Sequence, residues 1–377
     1  MKRLLILEPY YGGSHKHFLQ GLQKYVRAQY VLLTLPARKW KMRMQLSAPW
    51  FIEQIQTLPA EERWFDTLLC SSFVDVAVLR ALLARVRGWN QDARICLYFH
   101  ENQMTYPQRH AESDGHQFAA INYHSALVAD RIAFNSAYNA ETFFAGCRKY
   151  LKSASSEFNV LGTVDELQKK SCILFPGIDF QEIDGCRQTT PAGAPVVVWN
   201  HRWEHDKNPD RFVQALGELE RRGIEFRLIL AGKSFSAVPD CFARLESRFA
   251  ERILHFGYVP SYEDYIALLS QGDLVVSTAL HEFYGIAVIE AVRAGCVPLL
   301  PNRLSYPELF DSQYLYSEAD FVDTFARALT DNCRLGGEDA RRLTERFGWH
   351  RLAGAYSEWL FDAAASSKTA RTELSGL

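Results

Sequence analysis

The sequence predicts an α/β protein with two doubly wound parallel sheets, and three observations support this prediction. The chain has 377 residues, enough for about two domains, each with its own core. Short apolar runs alternate with helix-like stretches from end to end. The runs are continuously apolar, which is typical of parallel strands buried on both faces. We therefore expect two Rossmann-like domains with helices on both faces of each sheet.

Composition agrees with ordinary globular domains. Hydrophobic residues make up 48% and charged residues 23% of the chain, which excludes a disordered chain, a collagen or a coiled coil. The net charge of −2 argues against a protein that coats nucleic acid non-specifically, yet leaves room for a local basic patch. No apolar run approaches the ~20 residues that cross a bilayer. The first run, Leu4–Leu7, stops at Glu8 and Pro9, too short for a signal-peptide core.

The first half of the chain contains the first set of candidate strands. Gly12-Gly13 predicts a turn after the first of them, and Ser14 can cap a helix with one apolar face. A second helix is predicted over Phe118–Ala129. The candidate strands are Arg3–Leu7, Tyr30–Thr34, Thr67–Cys70, Ile95–Phe99, Arg131–Asn135 and Cys172–Phe175.

A composition shift then separates this half from the next. Proline, glycine and threonine cluster near Pro176-Gly177 and over Thr189–Pro195, which indicates a linker. The alternating pattern restarts after it. The strands expected there are Val196–Trp199, Phe226–Ala231, Ile253–Phe256, Leu274–Ser277 and Val297–Leu300; the helices are Pro209–Arg221, Cys241–Phe249, Ser261–Ser270 and Gly285–Ala294. Two such domains predict a ligand cleft between them, lined by the carboxyl ends of strands.

The strongest motif is Ser277–Ala291, where a predicted strand is followed by a polar loop and a helix that begins near Gly285. Glu282 in the loop and Glu290 in the helix are eight residues apart, so both carboxylates can reach one ligand. Free N–H groups at the helix start favour an anion such as phosphate, and Glu290 can accept two ribose hydroxyls. The alternative is that both carboxylates only complement the helix dipole.

Several other motifs occur along the chain, and their residues and order resemble those of a known family. They are Gly12-Gly13, Trp199–Pro209, Leu230–Lys233, Phe256–Val259 and Ala294–Pro298, together with the pair Glu282 and Glu290. The resemblance is to the retaining glycosyltransferases of the GT-B fold, family 4, and it spans nearly the whole chain. It implies an acceptor domain over residues 1–185, a nucleotide-sugar domain over 195–345, and a last helix, 346–365, that crosses back to the first domain. We expect a disordered tail over 366–377.

Within Trp199–Pro209, Arg202 and Lys207 match the Arg-x4-Lys diphosphate clamp of that family. Arginine offers a planar fork and lysine a point charge to a leaving nucleoside diphosphate. Gly12-Gly13 lets backbone amides approach a phosphate or sugar closely. The alternatives are solvated capping charges for the two cations and a plain tight turn for the glycines.

Four longer strings in the first half resemble one subgroup of the family, the tRNA-queuosine mannosyltransferases. The strings are Glu8–Lys16, Leu35–Arg43, Tyr98–Pro107 and Val128–Ser136. This resemblance implies transfer of mannose from GDP-mannose to the cyclopentene-diol of queuosine, at the anticodon wobble position of aspartate tRNA, with retention of configuration. Phe144–Lys170 departs from the pattern of the subgroup.

The two resemblances together assign the site residues. Catalytic roles fall to His100, Arg202, Lys207 and Glu282; donor binding to Gly12, Gly13, Ser14, Gly232, Lys233, Tyr258, Val259, Phe283, Tyr284, Gly285, Ile286 and Glu290; and acceptor binding to His15, Lys39, Trp40, Arg43, Glu101, Asn102 and Gln103.

Several of these residues also carry a chemical signal of their own. His100 follows an apolar strand, so it can bond the donor sugar or polarise the reacting centre; a structural histidine is the alternative. Arg38–Arg43 places four cations around Trp40, which suits a phosphate backbone with a stacked base. A solvated charged face with one packed tryptophan is the alternative.

The sequence gives no indication of a metal or cofactor. It contains no Asp-x-Asp, so cationic side chains and a helix dipole would have to stabilise the diphosphate. His15 and His17 have no third ligand at zinc-like spacing. The eight cysteines are scattered without a CxxC pair, which indicates reduced thiols in a cytoplasmic protein. We expect no membrane association and no obligate protein partner.

Two other functions remain open at this point. One is a family-4 transferase that uses another nucleotide sugar on a glycan, lipid or small-molecule acceptor. The other is a non-catalytic tRNA-binding protein on a decayed transferase scaffold, which GDP should not protect against thermal unfolding. Retention of Arg202, Lys207, Glu282 and Glu290 argues against decay.

Overall fold

The computed structural model describes residues 1–105, 115–154, 159–186, 193–233, 238–331 and 334–362. The chain divides into two compact units. Unit 1 consists of Met1–Ile178 and the helix Trp349–Phe361, and unit 2 is Asp179–Gly348. Unit 1 therefore ends before the expected boundary at residue 185. Most of the expected linker and the expected tail, residues 366–377, lie outside the described residues.

The secondary-structure elements alternate between strands and helices along both units. The strands are β1 (Arg3–Tyr11), β2 (Gln29–Pro36), β3 (Thr67–Ser71), β4 (Arg94–Phe99), β5 (Arg131–Phe134), β6 (Ser171–Ile173), β7 (Val196–Trp199), β8 (Arg227–Ala231), β9 (Ile253–Gly257), β10 (Leu274–Val276), β11 (Val297–Pro301) and β12 (Leu315–Tyr316). The helices are α1 (Gly13–Tyr25), α2 (Trp40–Thr57), α3 (Val76–Leu83), α4 (Gly115–Val128), α5 (Ala137–Ala154), α6 (Gly162–Lys169), α7 (Gln181–Gly185), α8 (Pro209–Arg221), α9 (Cys241–Arg248), α10 (Tyr262–Leu269), α11 (Ile286–Ala294), α12 (Tyr306–Leu309), α13 (Phe321–Thr330), α14 (Gly337–Thr344) and α15 (Trp349–Phe361).

Unit 1 is built on a six-stranded sheet in the order β2-β1-β3-β4-β5-β6. All of its strand pairs are parallel; Leu4 of β1, for example, is in register with Tyr30 of β2 and with Thr67 of β3. Successive side chains of β1 enter different cores, since Leu5 packs on one face of the sheet and Leu4 on the other. This two-sided burial explains why the strands are continuously apolar.

The last helix, α15, packs in unit 1. The indole ring of Trp349 lies against Gly21 and Gly177, where a β-carbon would collide with it. At the other end of α15, Arg131 donates to the carbonyl oxygens of Glu358 and Trp359 at 2.8 and 2.6 Å. Because the carboxyl end of a helix carries partial negative charge, this guanidinium stabilises the final turn.

Unit 2 is built on a second six-stranded sheet, in the order β12-β11-β10-β7-β8-β9, and its strand pairs are also parallel. The order reverses between β7 and β10, where Val198 is in register with Val275. The loops that follow these two strands therefore lie side by side at a topological switch point, which is where ligands bind in doubly wound sheets.

Most of the predicted elements are present. Of the strands, only β12 was not predicted, because two residues are too short to form an apolar pattern. One local prediction was wrong: α1 begins at Gly13 with Gly12 as its N-cap and no capping side chain, so Ser14 lies inside the first turn. Helices α2, α3, α5, α6, α7, α12, α13 and α14 were also not predicted. In α2 the helical pattern is obscured because Pro49 lies inside the helix and the apolar residues are poorly segregated to one face.

No helix in the described part of the chain is long and apolar enough to span a membrane. The seven described cysteines are free thiols, and five of them are buried.

Candidate active site

Lys207 lies in a short 3₁₀ turn, His205–Lys207, in the loop that follows β7. Its side chain is buried, yet its ammonium group is surrounded by oxygen atoms. Nζ donates to the carbonyl oxygen of His281 at 2.6 Å, and lies 3.1 Å from Glu282 Oε2 and 3.3 Å from Asp206 Oδ2. Since a buried cation is costly unless paired, the two carboxylates are what allow Lys207 to remain charged there.

Lys207 and the two carboxylates of this cluster stabilise one another in their charged forms. Burial alone would raise the pKa of Glu282, but Lys207, His201 and the Tyr284 N–H together outweigh burial, and the pKa falls to about 2. Burial lowers the pKa of Lys207, but Glu282 and Asp206 outweigh it and raise that pKa above its usual value. His201 is nearby, and burial together with the Lys207 charge lowers its pKa to about 4. At neutral pH the cluster thus combines a cation, two anions and an uncharged imidazole.

Arg202 is the second cation of this loop and is more accessible, with 45% of its side chain exposed. Its guanidinium lies 3.0 Å from Glu204 Oε2 and 3.9 Å from Asp206 Oδ2. Exposed ion pairs contribute little stability, so an incoming anion can compete for Arg202 at low cost. Asp206 contacts both Arg202 and Lys207, which keeps the two cations near each other.

The start of α11 faces the same loop. Gly285 is the N-cap, with φ of 113°, and a β-carbon there would meet Tyr306 at 3.3 Å; both facts favour glycine. Phe283 and Tyr284 are buried, and Tyr284 N donates to Glu282 Oε1 at 3.3 Å. The N–H groups of Ile286 and Ala287 precede the first hydrogen bond of the helix, from Val288 N to the carbonyl oxygen of Gly285 at 3.0 Å, and can receive an anion.

Glu290 lies further along α11 and is almost fully buried. Its carboxylate accepts hydrogen bonds from the hydroxyls of Tyr262 at 2.9 Å and Tyr265 at 3.4 Å. Burial raises the pKa of Glu290 to about 7, although the two tyrosines counteract it. Asn200 donates to the Tyr265 hydroxyl at 2.9 Å, which connects this carboxylate to the loop after β7.

The loops after β8 and β9 complete the switch-point edge of unit 2. A β-carbon at Gly232 would collide with the carbonyl oxygen of His201, so glycine permits this close approach. The ammonium of Lys233 lies 5.9 Å from the centre of the Tyr258 ring. Tyr258 is 58% exposed, and Val259 beside it is partly buried. An exposed ring next to a cation can stack on a flat aromatic ligand.

In unit 1, Gly12, Gly13 and Ser14 connect β1 to α1. Gly12 is extended, and a β-carbon there would lie 2.6 Å from Ala37 Cβ. Gly13 has φ of 51°, and both Gly13 and Ser14 are exposed. The loop therefore presents backbone and a small hydroxyl at the carboxyl end of β1, as expected for a phosphate or sugar contact.

His15 and His100 form the centre of a buried cluster beside this loop. Their rings stack with centroids 4.0 Å apart. His15 Nδ1 lies 3.1 Å from Glu8 Oε2, and His15 Nε2 lies 3.7 Å from Glu101 Oε2. Of the two carboxylates, Glu8 is buried and Glu101 is partly exposed.

Asn102 and Gln103 follow Glu101 in the same loop, and both are buried. The Asn102 side-chain amide donates to Asn139 Oδ1 at 2.8 Å, and its oxygen accepts from Met104 N at 3.0 Å. Asn102 therefore shapes the loop, and its amide is already engaged within the protein. Gln103 N donates to Asn122 Oδ1 at 2.8 Å, which fixes the backbone of the loop.

The basic segment around Trp40 forms the start of α2. Trp40 packs on Phe118 and Phe73, with ring centroids 5.1 and 6.1 Å apart, so its ring is partly covered by the protein. Lys39 is exposed at the N-cap, in a left-handed conformation with φ of 53°. Arg43 lies one turn further and is partly buried. The site thus offers cations next to a packed aromatic, rather than a fully open stacking ring.

Three side chains of unit 1 lie close enough together to be compared with a metal site. Among the described residues, Glu8, His15 and His100 offer ligand atoms that all lie within 4.8 Å of one another. The fold brings Glu8 and His100 to His15, and the spacing of these three residues in the sequence did not indicate such a group. However, both ring nitrogens of His15 face carboxylates and its ring stacks on His100, an arrangement that favours an imidazolium over a metal ligand.

Several residues at these edges have no role predicted from the sequence, among them Glu8, Asn200, His201, Asp206, Tyr262 and Tyr265. Glu8 did carry a signal, because a carboxylate at the end of an otherwise apolar strand is rarely buried without a partner. The two tyrosines are ordinary residues of an amphipathic helix in the sequence, and only their hydrogen bonds to Glu290 distinguish them.

Two family profiles and several known proteins match this chain. Residues 3–178 match the family profile "tRNA-queuosine alpha-mannosyltransferase N-terminal" and residues 186–346 match "Glycosyl transferases group 1". The chain is 32% identical to a tRNA-queuosine alpha-mannosyltransferase of Drosophila melanogaster, over 88% of this chain and 87% of that one. It is 24% identical to a GDP-mannose:cellobiosyl-diphosphopolyprenol alpha-mannosyltransferase of Xanthomonas oryzae, over 50% of this chain and 51% of that one.

Solved structures extend the comparison to the fold. HepE of Anabaena in complex with UDP matches with a TM-score of 0.68 and 16% identity, over 95% of this chain and 99% of that one. Sucrose-phosphate synthase of Thermosynechococcus elongatus matches with a TM-score of 0.66 and 14% identity, over 95% and 98%. These likenesses confirm the predicted GT-B fold.

Proposed function

The chain belongs to the tRNA-queuosine alpha-mannosyltransferase family, and on this premise we propose that it transfers mannose from GDP-mannose to the cyclopentene-diol of queuosine. The acceptor is the anticodon wobble nucleoside of aspartate tRNA, and the configuration of the sugar is retained. The observation that carries the proposal is the ion cluster of Lys207, Arg202, Asp206 and Glu282 beside the start of α11.

That cluster suits a leaving nucleoside diphosphate. Lys207 is held charged at a fixed point, and Arg202 is accessible enough to turn from Glu204 to a phosphate. The N–H groups at the start of α11 add partial positive charge at the same edge. Because these groups are in place before the reaction, they can stabilise the charge that develops on the diphosphate without reorganisation. We therefore propose that no divalent metal is needed.

We propose a same-face displacement as the chemical step. The bond between the sugar anomeric carbon and the diphosphate oxygen breaks as the bond to the acceptor hydroxyl oxygen forms on the same face. The acceptor proton passes to the departing phosphate oxygen. Glu282 is tied to Lys207 and to Tyr284 N, so its role is to position the phosphate and sugar next to the amides of residues 283–286. Burial lowers the pKa of His100 far below its usual value, which makes it an uncharged hydrogen-bonding partner for the sugar.

The nucleoside part of the donor fits the rest of the edge. Glu290 offers a carboxylate to the two ribose hydroxyls, and the exposed Tyr258 ring next to Lys233 offers a flat surface for a purine. The choice of guanine and mannose is supported by the names of relatives: the Xanthomonas proteins and a Mycobacterium tuberculosis protein are named as GDP-mannose-dependent mannosyltransferases.

The acceptor part of the proposal rests on unit 1. The family profile of the queuosine enzymes covers residues 3–178. Within this range, Lys39 and Arg43 offer cations for the tRNA backbone, and Glu101 offers a carboxylate to a diol. Gly12, Gly13 and Ser14 complete the contacts to the donor sugar and phosphate. The free cysteine thiols support a cytoplasmic site of action.

The test is mass spectrometry of nucleosides from queuosine-containing aspartate tRNA incubated with the protein and GDP-mannose. The expected result is a hexose added to queuosine, at a strongly reduced rate with Lys207→Ala. Parallel reactions with UDP-glucose and GDP-fucose measure donor choice. If GDP raises the melting temperature but no hexose is added, the acceptor assignment is wrong; if GDP has no effect either, the donor assignment is also wrong.

A further inference from the structure

Glu8 is a buried carboxylate that the proposed function does not yet use. It is 2% exposed and stands at the end of the apolar part of β1, next to an irregularity in the pairing of β1 with β2. Its Oε1 accepts from Tyr10 N at 2.7 Å, and its Oε2 lies 3.1 Å from His15 Nδ1. Because burying a charge costs free energy unless it is paired, Glu8 requires a cation, and His15 is the group in place to supply it.

His15 is surrounded by groups that favour a charged ring. Its other nitrogen, Nε2, lies 3.7 Å from Glu101 Oε2. The His15 ring stacks on Phe73, with ring centroids 5.6 Å apart, and on His100, with ring centroids 4.0 Å apart. An imidazolium donates from both nitrogens, whereas a neutral imidazole must leave one of the two carboxylates without a proton. The Phe73 ring adds a favourable cation–π contact.

The charged and titratable groups around His15 in the described residues are Glu8 and Tyr10 on β1, His100 at the end of β4, and Glu101 after it. Burial lowers the pKa of His15, but Glu8 and then Glu101 outweigh it and raise the pKa to about 10. For His100, burial lowers the pKa and the His15 charge lowers it further. The two stacked rings therefore differ in charge, one cationic and one neutral.

We infer that Glu8 is a positioning residue of the transfer reaction: it holds His15 as an imidazolium, which orients the Glu101 carboxylate and keeps the His100 ring uncharged. The inference rests on the proposed function, because Glu101 and His100 are the groups that would meet acceptor and sugar. Glu8 itself is enclosed and acts only through His15. The same contacts argue that His15 does not ligate a metal ion, since both of its nitrogens carry protons.

The first test needs no substrate. Ring nitrogens of the full-length protein, labelled with ¹⁵N-histidine, are followed by NMR from about pH 5 to about pH 9, and the His15 and His100 signals are identified by their loss in His15→Gln and His100→Gln. We expect both His15 nitrogens to remain protonated to about pH 9, and His100 to stay neutral to about pH 5. A neutral His15 at pH 7.5, or His15 signals that shift on addition of Zn²⁺, would overturn the inference.

The second test isolates the charge of Glu8. In Glu8→Gln, the amide oxygen can still accept from Tyr10 N, but the negative charge is gone. His15 should then titrate to the neutral form by about pH 8. The hexose-transfer kcat should fall about 10- to 100-fold at pH 8, with KM for GDP-mannose within about twofold, and should recover as the pH is lowered and His15 regains its proton. Glu8→Asp keeps the charge and should restore part of the activity.

Asp66→Asn is the matched control. Asp66 is also a carboxylate of unit 1 that accepts a backbone N–H of β1, from Arg3 N at 2.8 Å at the opposite end of the strand. This variant should leave the His15 signals and the pH profile unchanged. If Glu8→Gln does not fold, the wild-type NMR titration still decides the charge of His15. Absence of hexose transfer with the NMR pattern intact would refute the proposed function and leave the charge assignment of His15 standing.

Discussion

Lys207 and Glu282 are 75 positions apart in the chain and form an ion pair at 3.1 Å. The pair exists because β7 and β10 are neighbours in the sheet of unit 2, so the loops that follow them meet. The backbone supports the same junction, since Leu280 N donates to the carbonyl oxygen of Asp206 at 2.8 Å. The two residues that the proposed mechanism uses most are thus held by one strand pairing.

Removing the cation of this pair should slow the transfer step. We expect Lys207→Ala to lower kcat by about 10²–10³, the size of the effect when one group that stabilises developing charge is lost. The melting temperature should also fall, because Asp206 and Glu282 lose their buried partner. Steady-state kinetics with GDP-mannose and queuosine tRNA provide the measurement. Turnover at the wild-type rate would exclude Lys207 from the mechanism. Arg211→Ala, which removes a partly buried cation paired with Glu318, serves as the control.

Nucleotide binding should depend on the protonation of Glu290. The carboxylate accepts ribose hydroxyls and the protonated acid does so poorly, and burial raises its pKa to about 7 in the free protein. GDP should therefore bind about tenfold more tightly at pH 8 than at pH 6, as measured by isothermal titration calorimetry. In the absence of ligand, the free energy of unfolding changes with pH in the opposite direction to GDP affinity. The raised pKa of Glu290 stabilises the fold below about pH 4.5, and this contribution is lost as the pH rises through 7.

Two variants distinguish the titration of Glu290 from the titration of the GDP phosphate. Glu290→Gln should lose the part of the pH dependence that comes from the protein, and keep any part that comes from the phosphate. Tyr262→Phe removes a hydrogen bond to the carboxylate at 2.9 Å, so the midpoint should move to higher pH. An identical pH dependence in wild type and Glu290→Gln would contradict the assignment.

The cations at the start of α2 should contribute to tRNA binding and not to donor binding. We expect Lys39→Ala with Arg43→Ala to raise KM for the tRNA, and to reduce the slope of log affinity against log salt by about 1 to 2. KM for GDP-mannose should stay unchanged. Arg221→Ala with Arg222→Ala, which removes two cations from the end of α8, is the comparison. Equal effects of both double variants on tRNA affinity would show that α2 has no particular role.

Arg131 should stabilise the docked last helix. Its guanidinium donates to Glu358, Trp359 and Asp362 carbonyl oxygens. Arg131→Ala removes these hydrogen bonds from the end of α15, while Thr67 and Arg94 still donate to the carbonyl oxygen of Leu360. We expect a loss of about 1–2 kcal/mol in the free energy of unfolding and faster hydrogen exchange of the α15 amides. Arg148→Ala, which removes a surface pair with Asp165, should change the free energy of unfolding by less than about 0.5 kcal/mol. Unchanged exchange in α15 would refute the capping role.

Much of the architecture could be predicted from local patterns. The apolar runs located the strands because a strand buried on both faces must be continuously apolar, as Leu4–Leu7 and Val196–Trp199 are. The loops with Lys207 and Glu282 could be placed at strand ends for the same reason. Patterns failed where the element is short or mixed, as in β12, and where Gly12 rather than Ser14 caps α1.

The sequence by itself determined the fold class, the order of strands and helices and the positions of the motif loops, because these depend on residue types that are close together in the chain. Only the tertiary structure decided which charges pair. It enclosed Glu8 with His15 and bound the side-chain amide of Asn102 to Asn139 of α5. It also connected Tyr262 to Glu290. The physical reason is that a side chain's charge and availability depend on burial and on partners from distant strands, and the chain meets those partners only when the sheet has formed.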